Sequence, residues 1–516
     1  MITDILALES DARLEADVVV VGSGIAGAEV ATFLARRGVN VLLLESGRED
    51  FDPAIQALND VSFTAKPHRV LDPDASYHRY LPPEQRGASR IRQFGGTSNA
   101  WTGKWKHLQR SDFAPRPWVP DSDWPIGFDT LLAHYRSAAA EYGFGDLEAE
   151  ARRAEIEDLR RRVALHGLKL SSFWWEKTPT RTRIRFGDEM RALPSLRVVL
   201  GATATELLTD PSGRRIEGVV CRSLEGRRLV GAGHRVVLAT GGLETPRLLL
   251  ASDRQVPGGI GNAHDLVGRY YTDHPKHHSG ILRPGPLART FAREFQYKPK
   301  PRFCVCFALD DRTQRERRLL EHVIYLKPVY ETRRVRVRRW LRRTPACRDG
   351  RGTVADYRVK LVSEQVPNRE SRVRLGARRD ALGMRELLVE WRFTPQDHAS
   401  VDEVVRLADA RFRAAGLGVF DFGDALPAID TMTDAAHQMG TARMADSPER
   451  GVVDPDCRVW GTENLYVASA AVFPTGPSYS PTFTILALAR RLGEHLLDER
   501  AAPPPAARGE AAVAGA

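Results

Sequence analysis

The first residues that could do chemistry are Gly22-Ser23-Gly24-Ile25-Ala26-Gly27, a G-x-G-x-x-G run. Each glycine has a task at a dinucleotide: a tight turn, close approach of backbone to pyrophosphate, and close helix–strand packing. The run has meaning only between a strand and a helix. Residues 17–21 supply β-branched, apolar strand positions before it, and an alanine- and leucine-rich helical pattern follows to Arg37. Gly38 ends that helix, and residues 39–44 read as a second buried parallel strand. The unit is βαβ, the signature of an open doubly wound sheet, and its helix N-terminus faces phosphate charge. Glu45 then ends the second strand, with Ser46 next to it. A carboxylate there accepts hydrogen bonds from ribose hydroxyls, which favours FAD or NAD over NADP. The motif does not separate FAD from NAD.

Further elements must complete such a site. Residues 51–94 are irregular, as in a loop that covers a site or an interface. Residues 128–141 carry one apolar stripe and read as helix. Strand-like runs return at 196–208 and 218–238, and the second leads into Ala239-Thr240-Gly241-Gly242 and a helix through Leu250. The nucleotide-binding fold thus resumes after an excursion. Residues 280–391 alternate as several strands, including 357–362 and 386–391, and suggest an antiparallel sheet in a separate substrate lobe. Residues 464–497 read strand, loop, helix and belong with the first domain.

The 516 residues suffice for two domains or one large interleaved fold, and 42% hydrophobic content suits a soluble enzyme. The net charge of +10 is mostly arginine. Much of it is local, at Arg333, Arg334, Arg336, Arg338, Arg339, Arg342 and Arg343. That segment reads as a solvated basic face, with docking to an acidic partner or membrane as the sharper alternative. No nucleic-acid motif accompanies it. Cys221, Cys304, Cys306, Cys347 and Cys457 have no metal-ligand spacing and suggest reduced thiols in a cytoplasmic protein. No secretion or anchoring signal is expected.

Five segments together resemble the glucose-methanol-choline (GMC) flavoprotein oxidoreductases. They are Gly22–Gly27 with Glu45; Arg92-Gln93-Phe94-Gly95-Gly96-Thr97-Ser98-Asn99-Ala100-Trp101; residues 237–247; residues 266–275 with Asp273-His274-Pro275; and residues 437–484. Residues 97–101, 112–113, 116–120, 364–368 and 371–373 are similar in style to the sugar- and polyol-oxidising members. The resemblance implies an α/β fold: a Rossmann-like FAD-binding domain with a discontinuous, antiparallel-sheet substrate domain. The expected division is 14–130, 191–275 and 431–500 for FAD, 131–190 and 276–430 for the substrate lobe, and a disordered tail at 501–516. The implied cofactor contacts are Gly22, Gly24, Ile25, Ala26, Gly27, Glu45, Ser46, Gly95, Gly96, Thr97, Ser98, Asn99, Ala100, Thr203, Ala239, Thr240, Gly241, Ala470, Pro481 and Thr482.

Alcohol oxidation by a flavin needs a base for the hydroxyl proton, because an alkoxide expels hydride far more readily. Histidine suits that task. One histidine among 14 signals nothing alone, but His437-Gln438-Met439-Gly440-Thr441 matches the segment that supplies the family's catalytic histidine. Three departures follow. Ser480 stands where relatives have a second His or Asn; it can orient a substrate oxygen or simply cap the helix beginning at Pro481. Ala100 stands where some relatives bond the flavin covalently, so non-covalent FAD is expected. Ser469 stands where many relatives have an Asp that contacts the cofactor. His274, His277 and His278 could suggest a metal, but the match to the family's Asp-His-Pro turn favours a structural role. No metal is expected. The expected function is FAD-dependent oxidation of a CH–OH group on a sugar, glycoside, polyol or similar metabolite, with O2 or a redox carrier as acceptor. A flavin-containing lyase, a partner subunit of an electron-transfer complex and an NAD dehydrogenase are the alternatives.

Overall fold

The computed structural model describes residues 1–63, 89–101, 103–144, 153–176, 181–277, 280–295, 302–332, 347–349, 352–422 and 427–501. The arginine segment 333–343, His278 and the tail beyond 501 lie outside these residues. So does the side chain of Cys347.

The βαβ unit forms where its residues dictate. Ala12–Val21 and Val41–Leu44 are parallel, paired from Val18↔Val41 to Val21↔Leu44. Their apolar ends are buried on both faces, which is why they read as unbroken hydrophobic runs. Between them, the helix Ile25–Ala35 is buried nearly all round by its small side chains. The eight-stranded sheet runs in the order Ile2–Asp4, Leu196–Leu200, Val41–Leu44, Ala12–Val21, Arg228–Leu238, Ile216–Arg222, Thr203–Thr209, and Leu465–Val467 also pairs with Arg228–Leu238. The run 196–208 is two strands, because Gly201 turns the chain at φ +69°. The helix Phe128–Glu141 forms as its stripe predicts, on Leu131, Tyr135, Ala138 and Ala139.

The second sheet has nine strands, paired antiparallel. Its alternation gives each face a different neighbour. Phe307, Ile324, Val359 and Leu361 pack under the helix Pro395–Ala414, on Val401, Val404 and Phe412. Phe173, Cys304, Cys306, Tyr325 and Val362 face the other way and join the core of the first sheet. The two sheets therefore share a seam.

The strands depart from the expected division at three points. Ile2–Asp4 extends the first sheet at its edge, before residue 14. Lys104–Trp105 belongs to the second sheet by pairing with Leu168–Trp175. Arg372–Arg379 and Arg385–Glu390 form a third sheet with Val61–Phe63, not part of the second. No helix among the described residues is long and apolar enough to cross a membrane.

Candidate active site

One cavity runs from the glycine loop at Gly22 and Gly24, past Glu45 and Ser46, to His437 and Ser480. Three helices begin on it. Gly24, Ile25 and Ala26 open Ile25–Ala35; Thr240, Gly241 and Gly242 open Gly241–Ala251; Pro481 and Thr482 open Thr482–Ala501. Each presents unpaired backbone N–H groups and the positive end of a dipole. Two glycines are required by contact. A Cβ on Gly27 would lie 1.9 Å from the Gly22 carbonyl oxygen, and one on Gly22 (φ +98°) would lie 2.8 Å from that of Ala239. At Gly24 an added Cβ would meet nothing within 4 Å, so the backbone there is open to a ligand.

Glu45 is buried and held in place. Its carboxylate accepts from the Ser23 N–H at 2.8 Å, the Ser23 hydroxyl at 2.6 Å and the Gly47 N–H at 2.7 Å. Burial raises its pKa, and those bonds together with Arg92 oppose the rise. Arg90 and Arg92, which sequence reasoning left without a role, also line the cavity. Arg92 donates to Ser46 Oγ and to Glu244 Oε2, each at 2.8 Å, and Arg90 donates to Glu244. Burial opposes ionisation of Glu244, but Arg92, Arg90 and Arg247 override it and pull its pKa down to about 2. The signal for these residues was present: both arginines sit just before Gly95-Gly96, and Glu244 follows Gly241-Gly242.

At the other end, residues 272–277 run antiparallel to 433–439, bridged at Thr272↔Met439 and Lys276↔Thr433. That pairing sets His274 opposite His437, with Nδ1 to Nδ1 at 2.8 Å. Asp273 fixes the backbone beneath them. Its Oδ1 accepts from the N–H of His274 at 2.6 Å and of Ala435 at 3.0 Å, and its Oδ2 from that of His437 at 3.0 Å. Ala436, between them, is in the left-handed region at φ +57°. Burial drives the His437 pKa well below the usual histidine value, and His274, Lys276, Lys360 and Lys104 push it the same way. Burial also lowers His274, to about 4, against the backbone of Gly476 and Pro477, which favours its charged form. Both imidazoles are therefore neutral near pH 7.

Ser480 is half-buried on the cavity, its Oγ 3.3 Å from Thr482 Oγ1, and the helix after it begins at Thr482. Ser469 Oγ accepts from the Ala471 N–H at 3.2 Å, so it caps a short turn while also lining the cavity. Ile25, Ala26, Gly96, Thr97, Ser98, Ala100, Ala239 and Ala470 line it as well. Gly27, Gly95, Asn99 and Thr203 do not. Thr203 stands behind Ser46, hydroxyl to hydroxyl at 2.7 Å, and Asn99 Nδ2 donates to the Phe94 carbonyl at 3.0 Å. Lys276 and Gln438 are lining residues that sequence reasoning did not assign. Among the described residues nothing pairs with the buried Gln438 Nε2. No cluster of three or more metal-ligating side chains occurs among the described residues.

These features fit FAD: three helix N-termini for a diphosphate and an electron-rich ring edge, an acid after the second strand, and glycine backbone open to the ligand. Comparison with known proteins agrees. The GMC oxidoreductase models match residues 179–276 and 367–489, and an FAD binding domain model matches 15–58. The 2-methyl-1,2-propanediol dehydrogenase of Mycolicibacterium austroafricanum is 24% identical, over 95% of this chain and 98% of its own. The paromamine 6'-oxidase of Streptomyces fradiae is also 24% identical, over 92% and 90%. The crystal structure of pyridoxine 4-oxidase from Mesorbium loti superposes with a TM-score of 0.61 at 18% identity, over 93% of this chain and 99% of that one. The chain belongs to the GMC oxidoreductases. It is an FAD-dependent enzyme of that family.

Proposed function

We propose that this enzyme oxidises a CH–OH group of a sugar, polyol or similar small hydroxylated metabolite, with His437 as the base. One observation carries the reading: a neutral, desolvated imidazole lies on the same cavity as the dinucleotide loop. The relatives named for 2-methyl-1,2-propanediol and paromamine support a small hydroxylated donor.

When bound, FAD supplies the acceptor for the hydride that leaves the substrate carbon. The chain's own residues handle the proton. His437 takes it from the substrate hydroxyl through Nε2, the ring nitrogen not engaged by His274. Lys276, Lys360 and Lys104, the cations that act on His437, favour negative charge on the substrate oxygen as the proton leaves. Ser480 orients that oxygen by hydrogen bond, in place of the family's His or Asn. Gln438 Nε2 is a second donor on the cavity wall. Gly22, Gly24, Glu45 and the two arginines hold the adenosine diphosphate end. Ala100 has no nucleophile, so the cofactor is held without a covalent bond. We divide the chain into an FAD-binding domain, from the first sheet and the 431–500 block, and a substrate domain from the second.

Anaerobic mixing with a panel of sugars, polyols and simple alcohols tests the reading. At least one of these is expected to bleach the flavin, and admitting oxygen then shows whether O2 is the acceptor. His437→Ala should slow bleaching by roughly 10²–10⁴-fold with FAD still bound. Unchanged bleaching in that variant would remove His437 from the role of base.

A further inference from the structure

The two histidines meet through the same atom type. His274 Nδ1 and His437 Nδ1 are 2.8 Å apart, with ring planes at 83°. A neutral imidazole has one N–H and one lone pair, so one of these nitrogens must donate and the other accept. If His274 donated, His437 would carry its proton on Nε2, and its cavity-facing nitrogen would have no lone pair. If His437 donates, its Nε2 is the lone pair. His274 then carries its proton on Nε2, which has no hydrogen-bond partner among the described residues, although the Gly476–Pro477 backbone beside it favours the protonated form. A base at His437 requires this second arrangement. His274 is 1% exposed, and a Cβ on Gly476 would lie 3.3 Å from its Nε2, so Gly476 is closely packed there. Around the pair, Asp273 has its oxygens taken by three backbone N–H groups, Asp434 Oδ1 accepts from the Ala436 N–H, and Lys276, Lys360 and Lys104 only donate. With His437 as base, His274 is thus the acceptor at its Nδ1.

We infer that His274 is a positioning residue that fixes His437 in the Nδ1–H tautomer and so directs its Nε2 lone pair into the cavity. The inference rests on His437 as base. The step it serves is one proton transfer: the substrate O–H bond breaks, an N–H bond forms at Nε2, and the electron pair stays on oxygen. The resulting imidazolium keeps its Nδ1–H on the His274 lone pair, so charge develops against an acceptor already in place. His274 touches neither end of the reaction and acts only through His437.

The test reads the tautomer directly. ¹⁵N-histidine NMR of the FAD-loaded enzyme, with His437 assigned by the signals missing from His437→Gln, should show a protonated Nδ1 and an unprotonated Nε2. His274→Leu should lose that preference and reduce flavin about 10–100-fold more slowly at unchanged FAD content. His274→Asn keeps an acceptor near the Nδ1 position and should restore both the tautomer and most of the rate. A wild-type His437 protonated on Nε2 would overturn the inference even if neither variant folded. So would His274→Leu at the wild-type rate, or His274→Asn as slow as His274→Leu. Failure of the base itself looks different: His437→Ala would still bleach, whatever the tautomer.

Discussion

His274 and His437 lie 163 positions apart in the chain, yet their Nδ1 atoms are 2.8 Å apart. The preceding residue, Asp273, accepts from the backbone N–H of His437 at 3.0 Å. One dipeptide therefore holds the proposed base twice, by its main chain and by its ring. Because 272–277 also pairs with the second sheet at Lys276↔Val362, that grip ties the base to the second sheet.

The pair predicts the acid side of the pH profile. His437 acts only when neutral, and its pKa lies well below the usual 6.5. The acid limb of flavin reduction should therefore fall below pH 6.5, which stopped-flow reduction across pH will show. Stability follows the same sign. His274 titrates at about 4 when folded and near 6.5 when unfolded. Between those values the unfolded chain binds the extra proton, so the stabilisation is complete above pH 6.5 and is lost as pH falls towards 4. At full extent this is roughly 3 kcal/mol, measurable as a fall in the urea midpoint. An acid limb at or above pH 6.5 would contradict the buried, neutral pair.

Asp273→Asn should separate the backbone grip from the ring contact. The carboxylate accepts from three backbone N–H groups, at His274, Ala435 and His437. An amide keeps one acceptor oxygen and points an NH2 at a backbone donor. The loss of bonds at a fully buried site should cost about 1–3 kcal/mol. It should also release Ala436 from its left-handed turn. The expected result is a lower melting temperature together with slower flavin reduction. Slower reduction at an unchanged melting temperature would mean that Asp273 acts electrostatically and not as an anchor.

What was legible in the sequence was local. The βαβ unit shows because its strands, glycines and acid lie within 29 residues, from Asp17 to Glu45, and each residue type has one physical reason to be there. The helix Phe128–Glu141 shows because its stripe is regular. Long-range placement was not legible. Nothing near Lys104 says that it pairs with Trp175. Nothing near Thr203 says that its hydroxyl turns to Ser46 and not to the cavity. His437 was visible only through its motif, and its partner His274 was visible only as a turn residue. Hydrophobic period carries face and element, whereas side-chain pairs across a seam depend on how two sheets meet.

Gly27→Ala should prevent cofactor loading. The added Cβ would sit 1.9 Å from the Gly22 carbonyl oxygen and 3.0 Å from Ala239 Cβ, with backbone on one side and a packed strand end on the other. Neither gives way without moving the loop that faces the phosphates. Purified variant should carry far less FAD per chain by its visible absorbance, and added FAD should not restore it. Gly24→Ala meets no atom within 4 Å in the protein itself, so it should fold normally and lose FAD affinity alone. Full FAD occupancy in Gly24→Ala would show that the backbone there does not face the ligand.

The loop that carries Ser480 has its own buried support. Glu321 accepts from the Tyr479 hydroxyl and from Ser478 Oγ at 3.3 Å, and Lys169 lies 3.6 Å from its Oε1. Lys106 Nζ lies 3.9 Å from the centre of the Tyr479 ring. Tyr479→Phe keeps the ring for Lys106 but leaves a buried carboxylate short of a donor. The cost should be about 1–3 kcal/mol, read as a lower melting temperature. FAD content should not change, since Tyr479 does not line the cavity. If Ser480 orients the substrate oxygen, loosening its neighbour should raise the substrate concentration needed for half-maximal flavin reduction and lower the limiting rate. Ser480→Ala should do the same without the stability loss. Should Ser480→Ala reduce flavin at the wild-type rate and half-saturation, the serine serves only the turn before Thr482, and orientation of the oxygen falls to Gln438 and Lys276.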